Sequence, residues 1–132
     1  MEHMLRGVVL TLLWLGALST VSADAVEEQL RVTARETQKS LPMQVEPGVQ
    51  ATSVAAVGKT LMYRYHFTGV PPTAREVASI KADAFRNSVN SSCTNPEMVN
   101  ALKQDVNFQY DFYDRDNRFV FQYTINRKAC GR

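Results

Sequence analysis

The chain has 132 residues, of which 45% are hydrophobic and 21% are charged, and its formal net charge is +2. This length suits one compact domain rather than two. The 15 basic and 13 acidic residues are interleaved along the whole chain, which excludes the basic stripe that nucleic-acid-binding proteins present. Composition and motifs alone do not name a function, because no catalytic, metal-binding or nucleotide-binding motif stands out.

The N-terminus has the three parts of a secretory signal peptide. Arg6 supplies positive charge, Gly7–Leu18 is an apolar run, and Val21–Ala23 provides the small residues of a cleavage site. The run is short for a membrane span, since crossing a bilayer takes about 20 apolar residues. We therefore predict a signal peptide at residues 1–23, a single domain at residues 24–132, and a periplasmic or secreted protein.

One stretch of helical spacing and two of strand alternation define the first half of the domain. Residues 26–41 predict a helix that Pro42 ends. Residues 49–57 alternate as a strand, Gly58-Lys59 gives a hairpin turn, and residues 61–67 alternate as the next strand. One face of the first strand is predicted to hold Val49, Ala51, Ser53, Ala55 and Val57. The core face of the second strand is predicted to hold Leu61, Tyr63, Tyr65 and Phe67.

The second half begins with a capping box at Thr73–Glu76, which predicts a helix over residues 74–92. Asn95-Pro96 then starts a shorter helix. A strand over residues 106–112 and a return strand are joined by a turn at residues 114–117. The core faces are predicted to hold Val77, Ile80, Ala84, Phe85, Ser88 and Val89 of the long helix, and Val106, Phe108, Tyr110, Phe112, Phe119, Phe121, Tyr123 and Ile125 of the strands.

This order of elements predicts an α+β domain. Its antiparallel sheet of about five strands is expected to carry the helices on one face. Because thiols pair in an oxidising compartment, we also predict one structural disulfide between Cys93 and Cys130. A reactive thiol or a metal pair would need a nearby base or further ligands, and the predicted mature chain has a single, distant histidine, His66. We expect no metal ion and no cofactor.

His66 and a group of carboxylates are the residues that an enzyme could use. His66 is predicted to point away from the core beside Arg64, but no serine or cysteine nucleophile can be paired with it from the sequence. Asp111, Asp114 and Asp116 lack the glycine and the ordered oxygen ligands of a calcium loop, so we interpret them as a solvated hairpin tip. The alternating rings are predicted to be core rather than a platform for single-stranded nucleic acid.

Several short segments together suggest a family. They are Ser40-Leu41-Pro42, Tyr63-Arg64-Tyr65, Cys93-Thr94-Asn95-Pro96, Val106–Tyr113 and Asn126–Cys130. With these segments the chain resembles the small periplasmic proteins of Gram-negative bacteria that include the β-type pilotins of type II secretion, and the related exported family of quorum-sensing-regulated virulence factors. The resemblance covers nearly all of the predicted domain. It implies a sheet of about five strands with flanking helices, and the same paired cysteines.

For the function, the resemblance implies an escort that binds a C-terminal segment of a secretin and carries it to the outer membrane. A pilotin rides on a lipid attached to a cysteine at the cleavage point, whereas this sequence has Val21-Ser22-Ala23-Asp24 there. We therefore expect no stable membrane anchor after signal cleavage. The favoured hypothesis is a non-enzymatic, soluble periplasmic binding or assembly factor, linked to secretion or virulence, that holds a protein or peptide in a groove between helices and sheet.

The alternative hypothesis belongs to another class. It is a small secreted hydrolase, or an inhibitor of one, whose site is lined by His66, Arg64 or the carboxylates of Asp111 and Asp114.

Overall fold

The computed structural model describes residues 22–131. The predicted signal peptide therefore lies outside the described residues, apart from its last two positions. In chain order the elements are α1 (Ala23–Gln38), β1 (Met43–Glu46), β2 (Val49–Val57), β3 (Thr60–Phe67), α2 (Ala74–Thr94), α3 (Pro96–Lys103), β4 (Asn107–Tyr113) and β5 (Phe119–Ile125), followed by a 3-10 helix at Arg127–Cys130. The predicted α+β class is confirmed, with five strands and the expected disulfide.

The five strands form one sheet in the order β1-β2-β3-β4-β5. Three of the neighbouring pairs are antiparallel, whereas β3 and β4 run parallel at the centre of the sheet. The sheet is thus mostly antiparallel, and the parallel pair of β3 and β4 departs from the predicted antiparallel sheet. Parallel neighbours need a long crossover connection. Here α2 and α3 form that connection, because they lie between the end of β3 and the start of β4.

The main helices pack on one face of the sheet, as predicted. Val54, Tyr63, Tyr110 and Tyr123 are lateral neighbours across β2, β3, β4 and β5. α1 packs against β2 on the side of Val54, and α2 packs against β5 through a hydrogen bond between Ser88 and Tyr123. The core between helices and sheet is rich in stacked rings, and its largest fully buried side chains are Tyr65, Tyr110, Phe108, Phe112, Leu30, Leu61 and Met98.

A β-bulge changes the face that β2 buries. The register of β2 against β3 shifts between Ala51 and Ser53. Because a bulge inserts one extra residue, the alternation predicted from Val49 onward fails beyond Ala51. Val54 is buried instead of Ser53, and Val57 is 64% exposed. The predicted single face of this strand is therefore wrong in its second half.

Two rings predicted in the core are exposed. Phe85 is 38% exposed and Phe119 is 58% exposed. A register shift in the β4–β5 ladder pairs Phe119 with Tyr113, and the edge of one ring meets the face of the other at 5.8 Å between centroids. Phe119 therefore packs beside the hairpin rather than in the core. Phe85 meets Tyr123 only in an edge contact, at 5.7 Å, at the margin of the helix interface.

Helix ends follow local capping chemistry. The first helix begins three residues earlier than predicted, because Ser22 is its N-cap and accepts a hydrogen bond from the Ala25 amide. It also ends three residues earlier than predicted, at Gln38. The predicted capping box of Thr73 and Glu76 is present, and Asn95 caps α3. No helix within residues 22–131 is long and apolar enough to cross a membrane.

Candidate functional site

An open groove of about 530 Å³ lies between α1 and β2. Its volume is within the range of about 300–1,000 Å³ that is usual for ligand-binding pockets. We call it the α1–β2 groove, and the residues that line it are Arg31, Ala34, Arg35, Gln38, Lys39, Val54, Ala55 and Ala56. Its floor is built from short apolar side chains, and one wall is cationic.

The cationic wall is a row of three side chains on α1. Arg31, Arg35 and Lys39 are spaced four residues apart, which places them one above another along the same side of the helix. Arg31 pairs with Glu28 at 2.7 Å and Lys39 pairs with Glu36 at 3.1 Å. The side chains of both pairs are more than half exposed, so each pair contributes little to the stability of the fold. Arg31 and Lys39 therefore remain available to a partner. No carboxylate is among the described residues that line the groove.

The floor of the groove contains part of a free sheet edge. β1 is short and pairs only with Val49–Ala51, so within residues 22–131 no strand covers the outer edge of β2 at Val54–Val57. Pro42 precedes β1 and has no N–H to extend the ladder. The Oε1 atom of Gln38 accepts a hydrogen bond from the backbone N–H of Val54 at 3.0 Å. A side chain of α1 thus stands where the carbonyl of a neighbouring strand would be.

His66 and Arg64 lie together on the face of the sheet opposite α1 and α2. His66 Nδ1 is 2.9 Å from the hydroxyl of Thr52, and His66 Nε2 is 2.9 Å from Asn117 Oδ1. The Thr52 hydroxyl also lies 3.3 Å from the carbonyl of Arg64. The His66 ring stacks on Tyr113, and the Arg64 guanidinium sits 4.5 Å from the centroid of that same ring. Both ring nitrogens of the histidine therefore have partners within the fold.

The Asp111 carboxylate is almost completely buried on the same face. Gln122 Nε2 donates to its Oδ1 atom at 2.7 Å, and Gln109 Nε2 donates to the same oxygen at 3.2 Å. Asp111 pairs laterally with Arg64 in the β3–β4 ladder. Both donors are side chains of the sheet itself, so Asp111 has a structural role on this face.

Asp114 shapes the β4–β5 hairpin. Its Oδ1 atom accepts from the backbone amides of Asp116 and Arg118, both at 2.9 Å. The carboxylates of Asp111 and Asp114 thus serve separate hydrogen-bond networks. Because both residues are buried, the prediction that they belong to a solvated hairpin tip is wrong. Across the described part of the chain, no group of three histidine, cysteine, aspartate or glutamate side chains is arranged to hold a metal ion.

A groove between helices and sheet is expected from the resemblance, but the sequence does not show that α1 and β2 form it, for a specific reason. Its cations were interpreted only as the polar surface of a helix, and its floor lies after the bulge that disrupts the β2 alternation. The spacing of Arg31, Arg35 and Lys39 is the one sequence signal that could have indicated a cationic wall.

Comparison with known proteins identifies the fold. No protein-family model matches the sequence, and no curated protein matches it. The structure is similar to the pilotin EpsS of the Vibrio vulnificus type 2 secretion system, with a TM-score of 0.66 and 12% identity over 82% of this chain and 94% of that one. It is also similar to AspS, the type II secretion system pilotin of Vibrio cholerae, with a TM-score of 0.61 and 13% identity over 82% and 94%.

A third similar structure is PA3611 of Pseudomonas aeruginosa, a predicted secreted protein. Its TM-score is 0.68 and its identity is 15%, over 85% of this chain and 98% of that one. At these identities the likenesses establish a shared fold. The chain therefore has the fold of type II secretion pilotins, as the sequence resemblance implied.

Proposed function

We propose that this protein is an exported, non-enzymatic binding factor of the pilotin-like fold, which holds a segment of a partner protein in the α1–β2 groove. The observation that carries the proposal is the groove itself, with its apolar floor and its row of three cations. The likeness in fold to EpsS, AspS and PA3611 supports a place in secretion or among secreted proteins. We further propose that residues 1–23 are a signal peptide and that the domain acts in the periplasm or outside the cell.

The groove suits a segment of a protein more than a compact small molecule. It is open along its length, and Arg31, Arg35 and Lys39 present charge at three successive helical turns. A chain that carries several carboxylates can meet all three cations while it covers the apolar floor at Val54 and Ala34. The first partner to test is the C-terminal segment of a secretin, which the resemblance to pilotins implies. A contribution to virulence would follow from that role in secretion.

The test removes the charge of the cationic wall. The groove variant combines Arg31→Gln, Arg35→Gln and Lys39→Gln, which keep good helix formers in place. The control variant combines Arg75→Gln, Lys81→Gln and Lys128→Gln, which are exposed cations away from the groove. Affinity for secretin C-terminal peptides is measured by fluorescence anisotropy. We expect the groove variant to lose at least about tenfold in affinity, because up to three charge-assisted contacts are removed, while the control changes little.

A parallel experiment covers unknown partners in the cell envelope. A photoreactive amino acid at position 35 is expected to crosslink a partner protein, whereas the same group at the exposed Thr124 on the other face of the sheet should not. Equal loss of peptide affinity in both charge variants, or equal crosslinking from both positions, would contradict the proposed function.

One observation favours a second candidate, a small secreted hydrolase. Thr52, His66 and Asn117 form a chain of hydroxyl, imidazole and amide with both contacts at 2.9 Å, which is the order of a nucleophile, a base and an orienting group. It ranks second because the Thr52 hydroxyl is shared with the Arg64 carbonyl. Ester hydrolysis by the purified protein that disappears in both His66→Ala and Thr52→Val would support it, and activity unchanged in His66→Ala would rule it out.

A further inference from the structure

We propose that the α1–β2 groove binds by strand addition. An extended, acidic segment of the partner protein pairs with the free edge of β2 at Val54–Val57 and displaces the side chain of Gln38. This inference rests on the proposed function and specifies how the groove holds its partner. It commits to an extended segment rather than to a helix laid in the groove.

The first step is the orientation of the β2 backbone. The Val54 N–H points away from β3, since it donates to Gln38 on α1. Backbone groups of a strand alternate in direction, so the N–H and C=O of Ala56 point to the same outer side. Ala56 is partly exposed and lines the groove. An uncovered row of such groups is a template for an added strand.

The second step is the role of Gln38. Its Oε1 atom accepts at 3.0 Å from an amide that would otherwise lack a partner strand. The residue is exposed, so its side chain can swing into water without leaving a cavity. A carbonyl of the incoming segment can then accept from the Val54 amide in its place. The exchange keeps the Val54 amide hydrogen-bonded throughout, so Gln38 takes the place of a neighbouring strand until one binds.

The third step is the path of α1 along this edge. Gln38 meets Val54 at one end, and at the other end the Glu27 carboxylate comes within 3.5 Å of the position that a Cβ on Gly58 would take. α1 therefore follows the free edge over its whole length. Four residues of a helix rise about 6 Å, and two residues of a strand advance about 6.6 Å. Alternate side chains of an added strand can thus face successive members of the cationic row, which makes carboxylates at alternate positions the matching partner chemistry.

Strand addition and helix docking differ in what they do to β2. A helix satisfies its own backbone and would leave the Val54–Gln38 hydrogen bond unchanged. An added strand replaces that bond and creates a new one at Ala56. The two modes can therefore be separated by backbone measurements rather than by affinity alone.

The probe is a capped synthetic peptide of four Val-Glu repeats, titrated into the purified domain. Each peptide amide is methylated in turn. Because only every second amide of an added strand faces β2, we expect methylation to weaken binding by about tenfold at alternate positions and to be tolerated at those between. A matched peptide of four Val-Lys repeats is expected to bind at least about tenfold more weakly, since it repels the cationic row.

The second measurement is amide hydrogen exchange of the domain with and without the peptide. We expect exchange at Ala56 to slow by about tenfold, since its N–H gains a hydrogen bond, while the amides of β5 are unchanged. The Gln38→Ala variant should bind the peptide at least as tightly as the parent protein, because nothing must be displaced.

Specific results would overturn the strand model. They are no binding of the Val-Glu peptide, no alternation in the methylation series, or protection at the opposite sheet edge in β5 instead of at Ala56. If secretin peptides still depend on Arg31, Arg35 and Lys39 in that case, the groove remains the binding site and only strand addition fails. If they do not depend on these cations, the proposed function itself fails.

Discussion

The disulfide between Cys93 and Cys130 joins the last turn of α2 to the 3-10 helix that follows β5, with the two Cα atoms 5.5 Å apart. It encloses α3, β4 and β5 in one covalent loop. The bridge thus fixes α2 at its C-terminal end, next to the point where Ser88 meets Tyr123.

Removing this disulfide should destabilise the domain strongly. The cysteines are 37 positions apart in sequence. In the chain-entropy model a loop of that length contributes about 4 kcal/mol to the free energy of unfolding. We expect the Cys93→Ala/Cys130→Ala variant to lose about this amount in urea denaturation, measured at neutral pH. Identical unfolding midpoints for the two proteins would contradict a stabilising role.

A buried hydroxyl pair connects α2 to β5. Ser88 Oγ and Tyr123 Oη are 2.7 Å apart, and Ser88 is 1% exposed. Ser88→Ala and Tyr123→Phe each leave one buried hydroxyl unpaired, so each should cost about 1–3 kcal/mol in unfolding free energy. The double variant should cost less than the sum of the two, because both polar groups are gone. Strict additivity would show that the two hydroxyls do not interact.

Tyr65→Phe is the matched control for the Ser88 and Tyr123 variants. The Tyr65 hydroxyl is buried and has no hydrogen-bond partner among the described residues. Its removal should leave the free energy of unfolding unchanged or raise it slightly. A clear loss of stability would indicate that an internal water molecule satisfies this hydroxyl.

The buried tyrosines predict a loss of stability at alkaline pH. Burial raises the pKa of Tyr63 and Tyr65 well above 10.0, and it also raises the pKa of Tyr110 and Tyr123. Their folded-state pKa values lie above the unfolded value, so their contribution to stability is complete below about pH 10 and falls as the pH rises beyond it.

Spectrophotometric titration checks this prediction. In the Tyr113→Phe variant only the four buried tyrosines remain of the five in the chain. We expect their phenolate absorbance to rise together with the loss of circular dichroism that reports unfolding. Ionisation of all four in a protein that remains folded would contradict their burial.

The capping box of α2 predicts a dependence on acidic pH. The Glu76 carboxylate accepts from the Thr73 backbone N–H at 2.8 Å, and this bond lowers the pKa of Glu76 from 4.5. A lowered folded-state pKa stabilises the protein above about pH 4.5, and that contribution is lost as the pH falls through the folded value. The Glu76→Gln variant should therefore be less stable than the parent protein at neutral pH. The two proteins should be equally stable at a pH below the folded-state pKa of Glu76.

Thermal unfolding at a series of pH values measures this difference. Thr73→Ala removes the other half of the box and should cost about 1 kcal/mol at neutral pH. If the gap between the parent protein and Glu76→Gln is the same at every pH, the carboxylate does not carry the effect.

The features that the sequence predicted correctly depend on neighbours along the chain. The capping box at Thr73 requires only residues within one helical turn. Alternation from Leu61 to Phe67 correctly gave the buried face of β3, because a regular strand in the middle of a sheet keeps the period of two. The Cys93–Cys130 pairing followed from the count of cysteines and from the predicted export.

The tertiary structure decided what depends on lateral pairing between distant segments. The parallel pairing of β3 with β4 and the bulge after Ala51 arise from register, which alternation within one strand does not encode. The free edge of β2 exists because β1 ends its pairing at Ala51, and only the fold brings Gln38 to the Val54 amide. The sequence by itself therefore determined the elements and the disulfide of this domain, whereas backbone pairing across the sheet determined where the α1–β2 groove and its free edge lie.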